Sequence, residues 1–348
     1  TMLRGTMTQH LGVEEASFVA QYNTKDLLLY ALAIGCGGDG GGDGSTDEDS
    51  ENGTALYETD QQQQQGKNGE TRFVNENHDA FSAFPTFPLV LSFFAEPYCG
   101  SRNNMIGDGG GGGGMRSFPP PIMKGDRLLP RRLLKRPLQE DTVLMHLSQS
   151  IQFHSSIPIP KLLLQDDESS SSSQSYDPPV TTFLATDLLS VQPKSVGTFV
   201  TTETKIYVFD KSQTLPEHSL LCTMRSTTLL LGLDPESVIE FHANKQNTAA
   251  VAVPLQRQRL QRPIRVPDWT KLYRTTQTQA LLYRLGSSDY NSLHVNPPPP
   301  PNKTGAANST KKKNSSAPIL HGLCTMGFAA RAALLFVTSK FPGGDWTM

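Results

Sequence analysis

An acid and a histidine five residues apart, Asp289 and His294, are the side chains best suited by type and spacing to move protons. They sit at the end of an apolar, helix-like run, Ala280-Leu281-Leu282-Tyr283-Arg284-Leu285. A neutral imidazole accepts a proton from water near neutral pH, and a carboxyl beside it orients that water or delivers a proton of its own. Each such role is worth about 10²–10⁴-fold in rate. A second segment, Pro318-Ile319-Leu320-His321-Gly322-Leu323-Cys324-Thr325, opens with proline and carries a glycine in its first turns. A helix N-terminus presents free N–H groups and the positive end of the helix dipole. Together the segments have the layout of a small acid/base site facing an oxyanion-binding helix end. Taken alone, Asp289 and His294 also suit a turn acid and a surface histidine, and Gly322 suits close helix packing.

The elements that must carry these residues read as two copies of one unit. The first copy starts at Tyr22-Asn23-Thr24, where Asn23 or Thr24 caps a helix whose apolar run stops at Gly35. The second starts at Thr276, and Leu-Leu-Tyr-x-Leu recurs, with Tyr30 matching Tyr283. Each copy is followed by a proline-started apolar helix candidate, Pro85 to Ala95 and Pro318 to Leu335. Between the copies lie three strand candidates: His146–Pro160, Gly197–Phe209 and Ser219–Leu231. Helices and strands in this order give an α+β protein.

Of the 348 residues, 36% are hydrophobic, below the roughly 45% of a fully globular chain. The deficit is local, in Gly37–Gly44, Gln61–Gln65, Gly109–Gly114, Ser169–Ser173 and Pro297–Pro301. Such tracts carry too little apolar surface to offset chain entropy. A net charge of -2 argues against nucleic acid as a partner. No apolar run approaches the ~20 residues of a membrane span, so none is expected. Cys36, Cys99, Cys222 and Cys324 are scattered without a Cys-x-x-Cys pair, which suits a reducing interior or the peroxisome. Cys324 reads as core, and His321 as structural.

The two motifs together resemble the R-specific 2-enoyl-CoA hydratases (hydratase 2), of the MaoC-like dehydratase family. That family includes the hydratase part of the peroxisomal multifunctional enzyme of fatty-acid β-oxidation. Its pattern reads Leu-Leu-Tyr-Arg-Leu-Ser-Gly-Asp-Tyr-Asn-Pro-Leu-His, then Pro-Ile-Leu-His-Gly-Leu-Cys-Thr. Here the segments are LLYRLGSSDYNSLH and PILHGLCT, with Ser288 for the pattern's glycine and Ser292 for its proline. The resemblance implies a tandem (double) hot-dog fold, each unit a long helix against an antiparallel sheet, the second unit incomplete at its C-terminus. The units are 18–235, with insertions at 37–70, 101–118 and 166–178, and 254–348, the catalytic unit, with an insertion at 296–316.

It also implies hydration of trans-2-enoyl-CoA to (3R)-3-hydroxyacyl-CoA in fatty-acid β-oxidation. Asp289, His294 and Asn291 would be catalytic and Gly322 the oxyanion-hole donor. His146 and Lys194 match positions that contact the CoA portion, and Tyr290, Ser292 and Leu293 fall at substrate-binding positions. No metal and no cofactor is expected, since the CoA thioester is itself the substrate. An enoyl-CoA is the expected partner, and a homodimer is compatible with the family. The implied location is the peroxisome, although Asp345-Trp346-Thr347-Met348 is not a Ser-Lys-Leu-type address. Phe84, Phe87, Phe93 and Phe94 suit either the core or an acyl tunnel. Family members continue past this point with several long strands. The alternative is therefore a catalytically impaired acyl-CoA-binding relic or an incomplete gene product.

Overall fold

A computed structural model describes residues 18–37, 69–97, 118–124, 127–136, 142–160, 179–208, 219–243, 269–296 and 318–341. The expected insertions, the start of the second unit at 254–268, and Cys99 lie almost wholly outside the described residues.

Strand β1 (Phe18–Tyr22) leads directly into helix α1 (Thr24–Ala33). Asn23 is the cap: its side chain accepts from the Asp26 N–H at 3.1 Å, and Asp26 accepts from the Asn23 N–H at 2.9 Å. This reciprocal pair satisfies two of the donors that every helix start leaves free, a contribution of about 1 kcal/mol. Gly35, at φ +82°, turns the chain out of the helix, a conformation that glycine adopts without strain.

The remaining strands are β2 (Glu96–Pro97), β3 (Val143–Phe153), β4 (Val180–Lys194), β5 (Gly197–Val208), β6 (Ser219–Leu231) and β7 (Phe241–His242). They form one antiparallel sheet in the order β2-β1-β4-β5-β6-β3, with β7 on the outer end of β4. One face of the sheet carries two apolar clusters. At one end Leu184, Ile206, Cys222 and Met224 join Phe18, Tyr22 and the helices. At the other, Val191, Val200 and Leu230 meet Leu129, Leu133 and Val238. Between them Thr186 and Thr204 share a hydrogen bond of 2.9 Å on the same face. The opposite face carries the Arg225–Glu203 pair at 2.7 Å and Thr201 against Thr227.

The expected strands at Gly197 and Ser219 begin where predicted, and that at His146 begins three residues earlier, at Val143. β4, the longest strand, was not anticipated: Val180–Lys194 mixes Thr with a Leu-rich stretch and ends near Pro193, so its alternation is blurred.

The segment from Pro85 to Ala95 is a short element rather than a long helix. A 3-10 stretch, Phe87–Val90, runs into a single turn, α2 (Leu91–Phe94), after which Ala95 is extended. Pro88 cannot donate a backbone hydrogen bond, and the chain is drawn out at Glu96 to pair β2 with β1. Phe87 sits edge-on to Tyr22 at 5.0 Å and to Tyr30 at 5.6 Å, so this element does lie against the sheet. Phe84, Phe87, Phe93 and Phe94 are all buried in the main core.

The repeated Leu-Leu-Tyr segments face one another. Helix α3 (Gln279–Ser287) lies on α1, with the Tyr30 and Tyr283 rings 6.1 Å apart. The contact is close because Gly286 has no side chain: a Cβ there would stand 2.6 Å from the Leu29 carbonyl oxygen. Helix α4 (Gly322–Lys340) starts four residues later than Pro318. Among the described residues no strand follows β7, so α4 meets helix α1 rather than a sheet. It buries one stripe, Leu323, Cys324, Gly327, Phe328 and Arg331. A Cβ at Gly327 would lie 2.5 Å from Ile34. With 19 residues and a mean hydropathy of 1.4, α4 is long and apolar enough by length and composition to cross a membrane, which the sequence reading did not anticipate.

Glu70 and Arg331 lock α4 in place. Arg331 donates from Nε to Glu70 Oε1 at 2.9 Å, from one terminal nitrogen to Oε2 at 2.7 Å, and from the other to the Ile34 carbonyl at 2.9 Å. Both residues are buried, and the guanidinium lies over the Tyr273 ring at 4.6 Å. Glu70 is the last residue of the stretch 37–70 expected to be an insertion. It belongs instead to a helical turn at 69–71 and to the core. Its carboxylate is needed at that spot because no water reaches the guanidinium there.

Removing one partner strands the other charge in the core. Arg331→Leu should therefore cost about 3–5 kcal/mol in urea denaturation, whereas the double substitution Glu70→Leu/Arg331→Met should recover most of that loss.

Candidate active site

Helix α3 ends at Ser288, which adopts φ +56°, and the chain turns directly into Asp289. The stretch between Leu285 and Asp289 is one residue longer than in the hydratase 2 pattern, and the left-handed Ser288 falls within it. Ser287 anchors the turn: its hydroxyl donates to the Tyr283 carbonyl at 2.6 Å and accepts from the Asp289 N–H at 3.2 Å. Asp289 is buried, and its Oδ1 accepts from the Asn291 N–H at 3.1 Å. The Asn291 side chain accepts from the Leu293 N–H at 3.1 Å and so caps the 3-10 turn Ser292–His294 that presents the histidine.

His294 is half-buried, and its Nδ1 is 2.7 Å from the Ile319 carbonyl oxygen. A carbonyl only accepts, so Nδ1 carries the proton. In the neutral ring Nε2 is then left with the lone pair of a base. The His294 ring stacks on that of His321, with centroids 3.8 Å apart and planes 28° apart. His321 is almost fully buried, lies 4.9 Å from the Tyr283 ring, and stands immediately before α4. Neither of its ring nitrogens has a hydrogen-bond partner among the described residues.

Burial drives the electrostatics. It pushes the Asp289 carboxyl above its ordinary range, against the opposing pull of the Asn291 N–H and of His294, His146 and Arg284. It pushes His321 down to about 3, helped by His294 and Arg284, while the Asp289 backbone favours the proton only in part. Burial thus shifts the Asp289 carboxyl towards protonation and keeps the imidazole of His321 neutral at neutral pH.

The candidate ligand atoms of Asp289, His294 and His321 lie within 4.8 Å of one another. A zinc ion needs lone pairs converging on one point at about 2.0–2.1 Å. Rings stacked with planes 28° apart send their in-plane lone pairs side by side instead. The same spacing has room for a water held between a carboxyl and an imidazole.

Gly322 is the first residue of α4. Its helix start has no side-chain cap, and the first bond of the turn is Thr325 N–H to the His321 carbonyl at 3.1 Å. A Cβ at Gly322 would meet nothing within 4 Å, so protein packing does not require glycine there; Gly286 and Gly327 have that role. The dipole of a nineteen-residue helix ends beside His294, and among the described residues no side chain caps its first N–H groups.

The other expected site residues fall less closely together. Tyr290 lies under the Arg284 guanidinium at 4.7 Å, Ser292 is exposed and Leu293 half-buried. His146, on β3, hydrogen-bonds Gln149 at 3.1 Å, and its charge is felt at Asp289. Lys194 is at the far end of β4, separated from β3 by β5 and β6, about 14 Å across the sheet. The Ile319 carbonyl and the stacking role of His321 were not anticipated. The first has no side-chain signature, and the second shows only once α3 and α4 are folded together.

Residues 258–341 match the MaoC like domain family. The chain is 27% identical over 315 residues to the peroxisomal multifunctional enzyme type 2 of Drosophila melanogaster, covering 90% of this chain and 36% of that one. It is 31% identical over 190 residues to the peroxisomal enoyl-CoA hydratase 2 of Arabidopsis thaliana, covering 53% and 52%. The structure of the full-length Drosophila enzyme superposes with a TM-score of 0.51 at 22% identity, over 98% of this chain and 42% of that one, a likeness of fold. The chain thus spans between about a third and a half of these relatives. Over the matched part the chain is similar to the hydratase 2 group of the MaoC-like family, and its helix-on-antiparallel-sheet architecture is like that of the Drosophila enzyme.

Two measurable consequences follow from the site's own geometry. Ser288→Gly relieves a left-handed non-glycine residue and should raise stability by about 0.5–1 kcal/mol, seen as a higher melting temperature. His321, depressed in the folded state, contributes stability that is full above its unfolded value near 6.5 and is lost as pH falls towards about 3. The loss is on the order of 4 kcal/mol, and His321→Phe should flatten the stability profile in that window, by denaturation at stepped pH.

Proposed function

We propose that the chain hydrates trans-2-enoyl-CoA to (3R)-3-hydroxyacyl-CoA. The observation that carries this reading is the pairing of Asp289 and His294 beside an open helix N-terminus, within a segment that matches the MaoC like domain. The relatives named above supply the substrate class.

A water lies between the Asp289 carboxyl and His294 Nε2. His294 takes one proton as the water oxygen bonds to C3 of the conjugated thioester. The electron pair of the C2–C3 double bond moves towards the thioester oxygen, where the Gly322 N–H and the α4 dipole stabilise the enolate-like charge. Asp289, biased by burial towards its protonated form, delivers a proton to C2 on the same face. Transfer of the captured proton from His294 to Asp289 restores the site. Water, thioester and these side chains complete the balance without a metal or a redox cofactor. Asn291 holds the turn and orients the water, and Tyr290, Ser292 and Leu293 flank the acyl group.

In this reading the chain is a double hot-dog, 18–235 and 254–348, with the symmetric α1–α3 contact at its centre and catalysis confined to the second unit. His146, on the strand whose charge reaches Asp289, meets the CoA portion, and Lys194 a more distant part of it. The peroxisomal relatives support a place in peroxisomal β-oxidation, and a homodimer fits the same family.

With crotonyl-CoA as substrate, Asp289→Asn and His294→Ala should each lower kcat at least about 10²-fold while circular dichroism is unchanged. Gly322→Pro is a cleaner test of the oxyanion donor. Proline suits the first position of a helix and removes only that N–H, and His321 already has the extended ψ of 135° that a following proline needs. It should cost about 10²–10³-fold in kcat. Full activity in any of the three variants overturns the role given to that residue. CoA-thioester binding without any hydration by the unaltered chain would favour a binding relic.

A further inference from the structure

We propose that His321 is a positioning residue that fixes the plane and tautomer of His294 through the ring stack, not through either of its own nitrogens. The inference rests on the reading of His294 as the base. His294 sits on a short 3-10 turn and is half-buried, and the terminal torsion of a histidine is intrinsically broad. One hydrogen bond, Nδ1–H to the Ile319 carbonyl at 2.7 Å, restrains a single point of the ring. The His321 face, 3.8 Å away and nearly parallel, restrains the plane. The two together leave Nε2 with its lone pair in one direction.

His321 is itself held rigidly. It is buried, rests against Tyr283 and immediately precedes the first turn of α4, whose position is set by the Arg331–Glu70 pair. The Tyr283 ring, tilted by 49°, therefore packs on His321, which in turn stacks on His294, so the three rings run in series from α3 to the base. The groups acting on His321 are His294, Arg284 and the Asp289 backbone, and Asp289 in turn feels His294, His146 and Arg284. His321 remains neutral among them, so no second positive charge lies against His294 when the latter takes its proton. Neither ring nitrogen makes a hydrogen bond of good geometry among the described residues, and the Asp289 backbone interacts with the ring too weakly to offset its burial.

The test compares His321→Ala and His321→Phe in the full chain. Nitrogen-15 NMR of the imidazoles reads the His294 tautomer without any need for activity, and crotonyl-CoA hydration reads kcat and KM. The unaltered chain and His321→Phe should both show the proton on Nδ1 alone, with kcat within about threefold of one another. His321→Ala should populate both tautomers and lose about 10–100-fold in kcat, with KM changed by less than about threefold. Thermal melts establish that both variants are folded. A single tautomer with full kcat in His321→Ala overturns the proposal. So does a loss in His321→Phe equal to that in His321→Ala, which would mean that the ring nitrogens are used. If the unaltered chain hydrates nothing, the functional reading fails, while the tautomer populations still decide the stack.

Discussion

A guanidinium buried against a carboxylate 261 residues away fixes how the last helix docks on the rest of the chain. Taking both charges out of water costs several kcal/mol per ion, and only good geometry compensates. Here the pairing is bidentate, and the last donor reaches the Ile34 carbonyl at the C-terminal end of α1, where the helix dipole favours a cation. An apolar contact would tolerate sliding, whereas a fork of three hydrogen bonds does not. The angle and height of α4 on α1 are therefore set at Arg331. The first turn of α4, nine residues before Arg331 at Gly322, is placed by the same fork.

That arrangement places the proposed site at a junction rather than inside either helix. Asp289 and His294 hang from the end of α3, and the free N–H groups belong to the start of α4. Neither helix could make the site alone. The contact between α1 and α3, made possible by the missing side chain of Gly286, and the fork on α4 meet at the three-ring series.

Much of this was legible in the residues. The Asn23 cap, the stop at Gly35 and the strands at Gly197 and Ser219 each follow from a local rule, and each is found where that rule puts it. What escaped depends on distant partners. Glu70 follows a low-complexity tract, and its carboxylate has meaning only once Arg331 arrives. Helix α4 begins at Gly322 because the Ile319 carbonyl is taken by His294 and His321 is extended, neither of which the proline at 318 announces. Helix length after Pro85 was overestimated because apolar character alone does not distinguish a helix from a buried turn leading to an edge strand.

The thiols illustrate a different consequence of burial. Cys36, Cys222 and Cys324 are all enclosed, and desolvation drives each thiol upward, Cys222 and Cys324 to about 12. Almost none of any of them exists as thiolate at neutral pH, and thiolate is the form that peroxide attacks. In these three buried positions sulfur is held in its least nucleophilic form and serves the core as hydrophobic filling.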